Sequence, residues 1–149
     1  MAFGAPSIKG RALRLLSQRE HSRAELVRKL SRYEEQPGTL ALALDELTAK
    51  AFISETRVVQ SVLHQRAARL GAARVRQELL HKGIAPDAVA EAVAGLQGSE
   101  LERARDVWRR RFDALPQNAA ERAKQARFLM ARGFAGGVVA RVLREDGRD

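Results

Sequence analysis

The chain repeats itself. A shift of 50 positions lays residues 79–93 (LLHKGIAPDAVAEAV) on residues 129–143 (LMARGFAGGVVARVL), matching Leu79 with Leu129, Gly83 with Gly133, Ile84 with Phe134, Val89 with Val139 and Val93 with Leu143. A shift of 49 the other way sets Val75, Leu79, Pro86, Val89, Val93 and Leu96 on Leu26, Leu30, Pro37, Leu40, Leu44 and Leu47. A period near 50 means that one small unit occurs three times, each copy burying a modest core and leaning on the next. The copies fill the 149 residues as modules 1–53, 54–98 and 99–149.

The apolar spacing inside each copy is helical and never alternates as a half-buried strand does. Ile8, Ala12, Leu13, Leu15 and Leu16 mark a first helix. Ser22 and Glu25 form a capping box for the second, which carries Leu26, Val27 and Leu30 inward. Pro37 suits the first turn of the third, with its stripe of Leu40, Leu44 and Leu47. In the middle copy, Gly71 is expected to stop a long first helix. Val75, Leu79 and Leu80 line the second helix, and Pro86 opens the third. Residues 95–99, with two glycines, are the expected joint before the last copy. There Ser99 and Glu102 again spell a capping box, Pro116 breaks the first helix, and Asn118 with Glu121 caps the next. The fold class is all-α, three tandem three-helix modules, nine helices in all.

Chemistry has little to work with here. There is no cysteine, so disulfides and Cys-based zinc sites are excluded. His21, His64 and His81 stand apart, without metal-ligand spacing, and solvent-facing or capping roles are expected for them. Residues 133–137 (GFAGG) lack the lysine of a phosphate loop, and no G-x-S-x-G elbow occurs. No enzymatic activity, cofactor or metal is expected. No apolar run approaches ~20 residues and residues 1–10 lack a signal-peptide core, so a cytoplasmic protein without a membrane span is the expectation.

Charge is the informative quantity. The net +9 is spread as +3, +2 and +4 over the three modules, and only 5 of the 27 basic residues are lysine. Such a field attracts polyanions, and the planar guanidinium fork suits phosphate or carboxylate. Clustering nominates Arg66, Arg69, Arg74, Arg109, Arg110, Lys124, Arg127 and Arg132 as partner-facing. On a 3.6-residue period Lys124, Arg127 and Arg132 spread over more than one helix face. A helix-turn-helix reading would make residues 85–96 a recognition helix. Its exposed positions include Asp87 and Glu91 and no Arg or Lys, which disfavours direct base readout.

Residues 16–26 (LSQREHSRAEL) with Lys29 and Leu30 resemble the opening motif of the RecX family, regulators of the RecA recombinase. Leu79, Lys82, Gly83 and Ile84 resemble its middle signature, and residues 124–129 (KQARFL) with Arg132, Gly133 and Phe134 its closing one. The resemblance covers nearly the whole chain. One departure stands out: where the family usually has a glycine before an acidic-rich turn and an aromatic, this chain has Ala51, Phe52, Ile53, Ser54, Glu55 and then Val58.

The resemblance implies an elongated, curved tandem of modules that binds the RecA–single-stranded-DNA filament in its helical groove. It further implies inhibition of ATP hydrolysis, strand exchange and repressor cleavage, hence a part in DNA repair, homologous recombination and the SOS response. A monomer is expected. The residues themselves leave two alternatives open: an independent basic protein that antagonises recombination by covering DNA, and a structural α-repeat scaffold.

Overall fold

The structure, a computed structural model, describes residues 4–144. Among them run nine α-helices: α1 (Ile8–Gln18), α2 (Arg23–Leu30), α3 (Thr39–Ala49), α4 (Glu55–Arg66), α5 (Ala72–His81), α6 (Pro86–Leu96), α7 (Glu100–Arg111), α8 (Ala119–Ala131) and α9 (Gly136–Arg144). Single 3-10 turns, Ser31–Tyr33 and Gln97–Ser99, follow α2 and α6. The expected joint at 95–99 is therefore helical: α6 passes directly through its 3-10 turn into α7. Residues 4–61 with Lys82–Ile84 form one compact unit, and Val62–His81 with residues 85–144 form another.

In the first unit, Leu26, Leu30, Leu40, Leu44, Leu47 and Ile53 close around Ala12. Each fully buried leucine contributes roughly 1.5–3 kcal/mol. Val27, expected inside, is instead exposed beside them. Ser7 starts α1 by accepting the Gly10 N–H at 3.0 Å. Pro37 lies ahead of α3 rather than in its first turn, because Gly38, at φ 92°, makes the bend into the helix. At the far end of α3, the Phe52 N–H reaches back to the Leu47 carbonyl, which requires Ala51 to take φ 64°. A β-carbon is costly in that left-handed conformation. This is the position where the family resemblance leads one to expect glycine. Arg57 braces the turn, donating to the Ala51 carbonyl at 2.6 Å and to Glu20 at 2.8 Å.

Around the start of α2 the expected capping box is complete. The Ser22 hydroxyl accepts the Glu25 N–H at 3.1 Å, and Glu25 accepts the Ser22 N–H at 3.0 Å. The same hydroxyl donates onward to the Lys82 carbonyl. Lys82 and Arg19 both hold Glu25 Oε2, at 3.1 and 2.8 Å. Gly83, at φ 78°, lies so close that a β-carbon would come within 2.6 Å of Ala24 Cβ. Ile84 follows it into the interior. Of the two roles expected for His21, solvent-facing or capping, the first is not found: the residue is 1% exposed. Its Nδ1 must donate to the Arg19 carbonyl at 3.1 Å, and its Nε2 must accept from Lys29 Nζ at 3.0 Å, which requires the neutral ring.

The second unit repeats the device with different side chains. Gly71 N–H donates to the Arg132 carbonyl at 2.8 Å and Ala73 N–H to the Gly133 carbonyl at 3.2 Å. The N–H end of α5 thus meets the carbonyl end of α8, an arrangement that both helix dipoles favour. Glu100 accepts the intervening Ala72 N–H at 3.1 Å, and Arg74 donates to the Ala131 carbonyl at 2.7 Å. Gly71 does not stop α4, which ends at Arg66. Its missing side chain serves close approach instead, since a β-carbon would fall 2.3 Å from the Gly133 oxygen.

Ser99 forms no capping box either. Its backbone is already helical, so its hydroxyl turns to the Leu96 carbonyl and to Arg103 Nε. Arg103 gathers the Ala67, Leu70 and Leu96 carbonyls. Asn118 does cap α8, accepting the Glu121 N–H at 2.8 Å. Buried Val75 and Leu79 of α5 and Val89 and Leu96 of α6 belong to this unit, while Leu80 is exposed. Leu129, Phe134, Val139, Val142 and Leu143 pack with Ala104 and Val107.

Two tests follow from these contacts. Gly71→Ala lowers unfolding free energy by about 2–3 kcal/mol through overpacking, whereas Ala51→Gly raises it by up to about 1 kcal/mol by relieving the left-handed alanine. Urea titrations of the two variants beside the parent check both signs.

Acid sensitivity has a definite sign. Burial raises the Glu25 carboxyl, yet the hydrogen bonds from Arg19, the Ser22 N–H and Lys82 outweigh it and hold the group at about 2 against an ordinary 4.5. The unfolded chain therefore takes up that proton first, and as much as about 3 kcal/mol of stability is lost as pH falls from 4.5 towards 2. Burial likewise lowers His21 below its ordinary 6.5, so loss begins as pH falls beneath that value. Stability measured against pH shows both limbs in the parent, and Glu25→Gln flattens the lower one.

Candidate partner-binding surface

The nominated cations all lie in the second unit: Arg66 at the end of α4, Arg69 in the following turn, Arg74 on α5, Arg109 and Arg110 on α7, Lys124 and Arg127 on α8, and Arg132 just past α8. The structure divides them by occupation. Arg74 and Arg132 are brought together at the α5–α8 contact, where both serve the fold. Arg74 holds the Ala131 carbonyl. The Arg132 guanidinium lies 4.4 Å from the Phe128 ring centroid, and its Nε is buried without an acceptor among the described residues. Arg66 pairs with Glu78 at 3.3 Å and Arg109 with Asp106 at 3.0 Å; both arginines are more than half exposed, so each pair contributes little.

Arg69, Arg110, Lys124 and Arg127 are exposed and make no ion pair among the described residues. These four are the unit's available charge within the nominated set. Beside them, α7 and α8 bring together an aromatic group whose members lie too far apart in sequence for local pattern to join them. Phe112 meets Phe128 edge-on at 5.3 Å, and Trp108 lies 6.5 Å from Phe112. Gln125 fixes the indole, accepting its N–H at 2.8 Å while donating to the Ala114 carbonyl at 3.1 Å. Arg111, not nominated, stands 5.2 Å from the Phe112 centroid and 5.7 Å from Phe128. Its signal in sequence was the run 109–111 followed at once by Phe112. The arrangement can bind an anionic partner by charge and by guanidinium and aromatic faces. Among the described residues no cluster of metal-ligating side chains occurs, and no helix is long and apolar enough to cross a membrane.

Three family models match the chain in order: the first three-helix domain of RecX over residues 9–47, the second over 54–93 and the third over 99–143. The chain belongs to the RecX family. Regulatory protein RecX of Leptothrix cholodnii is 54% identical over 146 residues, covering 97% of this chain and 93% of its own. That of Ralstonia nicotianae is 50% identical over 137 residues, 92% of this chain and 86% of its own.

Solved structures share the fold. A crystal structure of regulatory protein RecX superposes with a TM-score of 0.78 at 21% identity, covering 93% of this chain and 72% of that one. RecX from Lactobacillus salivarius gives 0.74 at 16% identity, with 92% of each chain covered. The expected fold class, three three-helix RecX domains without strands among the described residues, is therefore found.

The division of the cations predicts how variants separate. Arg74→Glu lowers stability by about 1–3 kcal/mol, because it removes a charge-assisted bond and sets a carboxylate against carbonyls. Arg110→Glu and Arg127→Glu stay within about 0.5 kcal/mol of the parent. Thermal and urea unfolding of the three variants checks this.

Proposed function

We propose that this RecX family member is a non-enzymatic modulator of RecA. It binds the RecA–single-stranded-DNA filament in its helical groove and suppresses ATP hydrolysis, strand exchange and co-protease activity. In this reading the protein acts as a cytoplasmic monomer in recombination and the SOS response, through the modules 1–53, 54–98 and 99–149. The observation that carries the reading is family membership over nearly the full length, at 54% identity to a protein named as a regulator. The charge supports it: a filament presents the same acidic surface many times, and linked weak contacts add through effective concentration.

Within the nominated set, Arg69, Arg110, Lys124 and Arg127 are proposed as the principal contacts, with Arg111 added; their exposure without an ion pair among the described residues supports the choice. Arg66 and Arg109 stand beside them as weakly paired reserves. Arg74 and Arg132 stay in the proposed set with a second duty, holding the Ala131 carbonyl and the Phe128 ring at the α5–α8 contact.

The test is RecA ATPase activity on single-stranded DNA with increasing amounts of the protein. The parent inhibits; the double variant Arg110→Glu/Arg127→Glu needs about tenfold more protein for the same inhibition, as loss of roughly 1.4 kcal/mol requires, with unchanged helical circular dichroism. A parent without effect on the ATPase overturns the function. A double variant that inhibits equally removes those residues from the interface.

A further inference from the structure

The first unit holds a groove of about 560 Å³ that the functional reading does not use. It is walled by Arg11 and Arg14 from α1, Arg28 and Lys29 from α2, and Arg32 and Tyr33 from the 3-10 turn. No carboxylate lines it. Five cations in one concavity repel one another, and folding keeps them together without a counter-charge among the described residues.

This is not how the rest of the unit treats its basic residues. Lys9, Arg19, Arg23, Arg57 and Lys82 each pair with a carboxylate, to Glu46, Glu25, Asp45, Glu20 and Glu25 respectively. Outside the groove only Lys50, exposed at the end of α3, makes no such pair among the described residues. Outside the groove five of the unit's six basic residues thus have an acidic partner; inside it none of the five does among the described residues.

The aromatic residue sets the geometry. The Arg11 guanidinium lies 3.8 Å from the Tyr33 ring centroid, within stacking distance, and Arg32 stands 4.8 Å from it while donating to the Tyr33 hydroxyl at 2.7 Å. A guanidinium backed by a ring is held in orientation, and the face turned away from the ring is a flat platform of the kind on which nucleobases stack. Lys29 is similarly positioned by its bond to neutral His21.

We propose that this groove binds a single strand of nucleic acid, with phosphates on Arg14, Arg28 and Arg32 and a base on the face of Arg11 turned away from Tyr33. A cavity of this volume lies in the range of small-ligand sites and has room for one or two nucleotides. An acidic peptide would satisfy the charges but has no use for the stacked plane. None of the groove residues belongs to the partner-facing set proposed for the second unit, and strand binding is measured without a recombinase.

The test is fluorescence anisotropy of a short labelled oligothymidylate with the full chain. Three phosphate contacts give a slope of log affinity against log salt near −2 by counterion release, at about 0.7 per contact. Arg14→Glu/Arg28→Glu weakens binding at least about tenfold and flattens that slope. Arg11→Lys, which keeps charge and loses the plane, weakens it severalfold. Lys50→Glu, the same charge reversal outside the groove, leaves binding unchanged. Oligoglutamate of matched charge displaces the strand poorly. Circular dichroism confirms folding, and Arg14→Gln replaces the double variant if that one unfolds. Equal losses in Lys50→Glu and the groove variants, undiminished binding by the groove variants, full activity of Arg11→Lys, or equal displacement by oligoglutamate would each overturn the proposal.

Discussion

One contact, made twice, organises the rest: a helix start seated on a turn formed by a basic residue and glycine. In the first unit the start of α2 rests on Lys82 and Gly83; in the second the start of α5 rests on Arg132 and Gly133. Helix ends carry unsatisfied N–H and carbonyl groups, and leaving such groups buried and unpaired is expensive. Setting an N–H end against a carbonyl end satisfies both at once and aligns opposite dipole charges. It also demands close backbone approach, which explains why Gly83 and Gly133 have no room for a β-carbon, and Gly71 none in the second copy. The apolar residue after each glycine, Ile84 or Phe134, then drops into the interior, so the turn joins polar closure to core packing.

The same physics sorts the charge. A pI near 11 suggests a surface covered in available cations, yet many arginines are structural. Arg57 braces a strained turn, Arg74 closes the α5–α8 contact, and Arg103 collects carbonyls from three places. Arginine suits such work because five donors on a rigid plane reach several acceptors, and its hydration is weak enough to lose. Other cations have no carboxylate partner among the described residues: Arg69, Arg110, Lys124 and Arg127 in the second unit and those of the groove beside Tyr33 in the first.

Much of this was legible in the sequence, and the exceptions share a cause. Helix positions, the Ser22–Glu25 box and the Asn118 cap depend on residues a few positions apart, and local pattern finds them. The family was legible because its motifs hold the turns and caps. Gly71 misled because a glycine before a helix and a glycine after one look alike; only its distance to Gly133, far along the chain, tells them apart. Ser99 misled because the spacing of a capping box says nothing about whether the backbone is already helical. For His21 the sequence left a solvent-facing and a capping role open, and only Lys29 and the Arg19 carbonyl on its two nitrogens decide against the first. The candidate site was only half legible. Charge clustering could count arginines but not see that Arg74 and Arg132 were engaged, nor that Arg11 and Arg32 met over one tyrosine.

The acceptors at both helix starts are main-chain oxygens, belonging to Lys82 in one case and to Arg132 and Gly133 in the other. A carbonyl is supplied by every residue type, so mutation cannot delete it. The donor side is free to vary: a serine hydroxyl serves in one copy and a bare amide in the other. Segments joined this way can differ widely in side chains while their seams keep fitting: Gly83 and Gly133 match between the last two copies, and aliphatic positions match across all three.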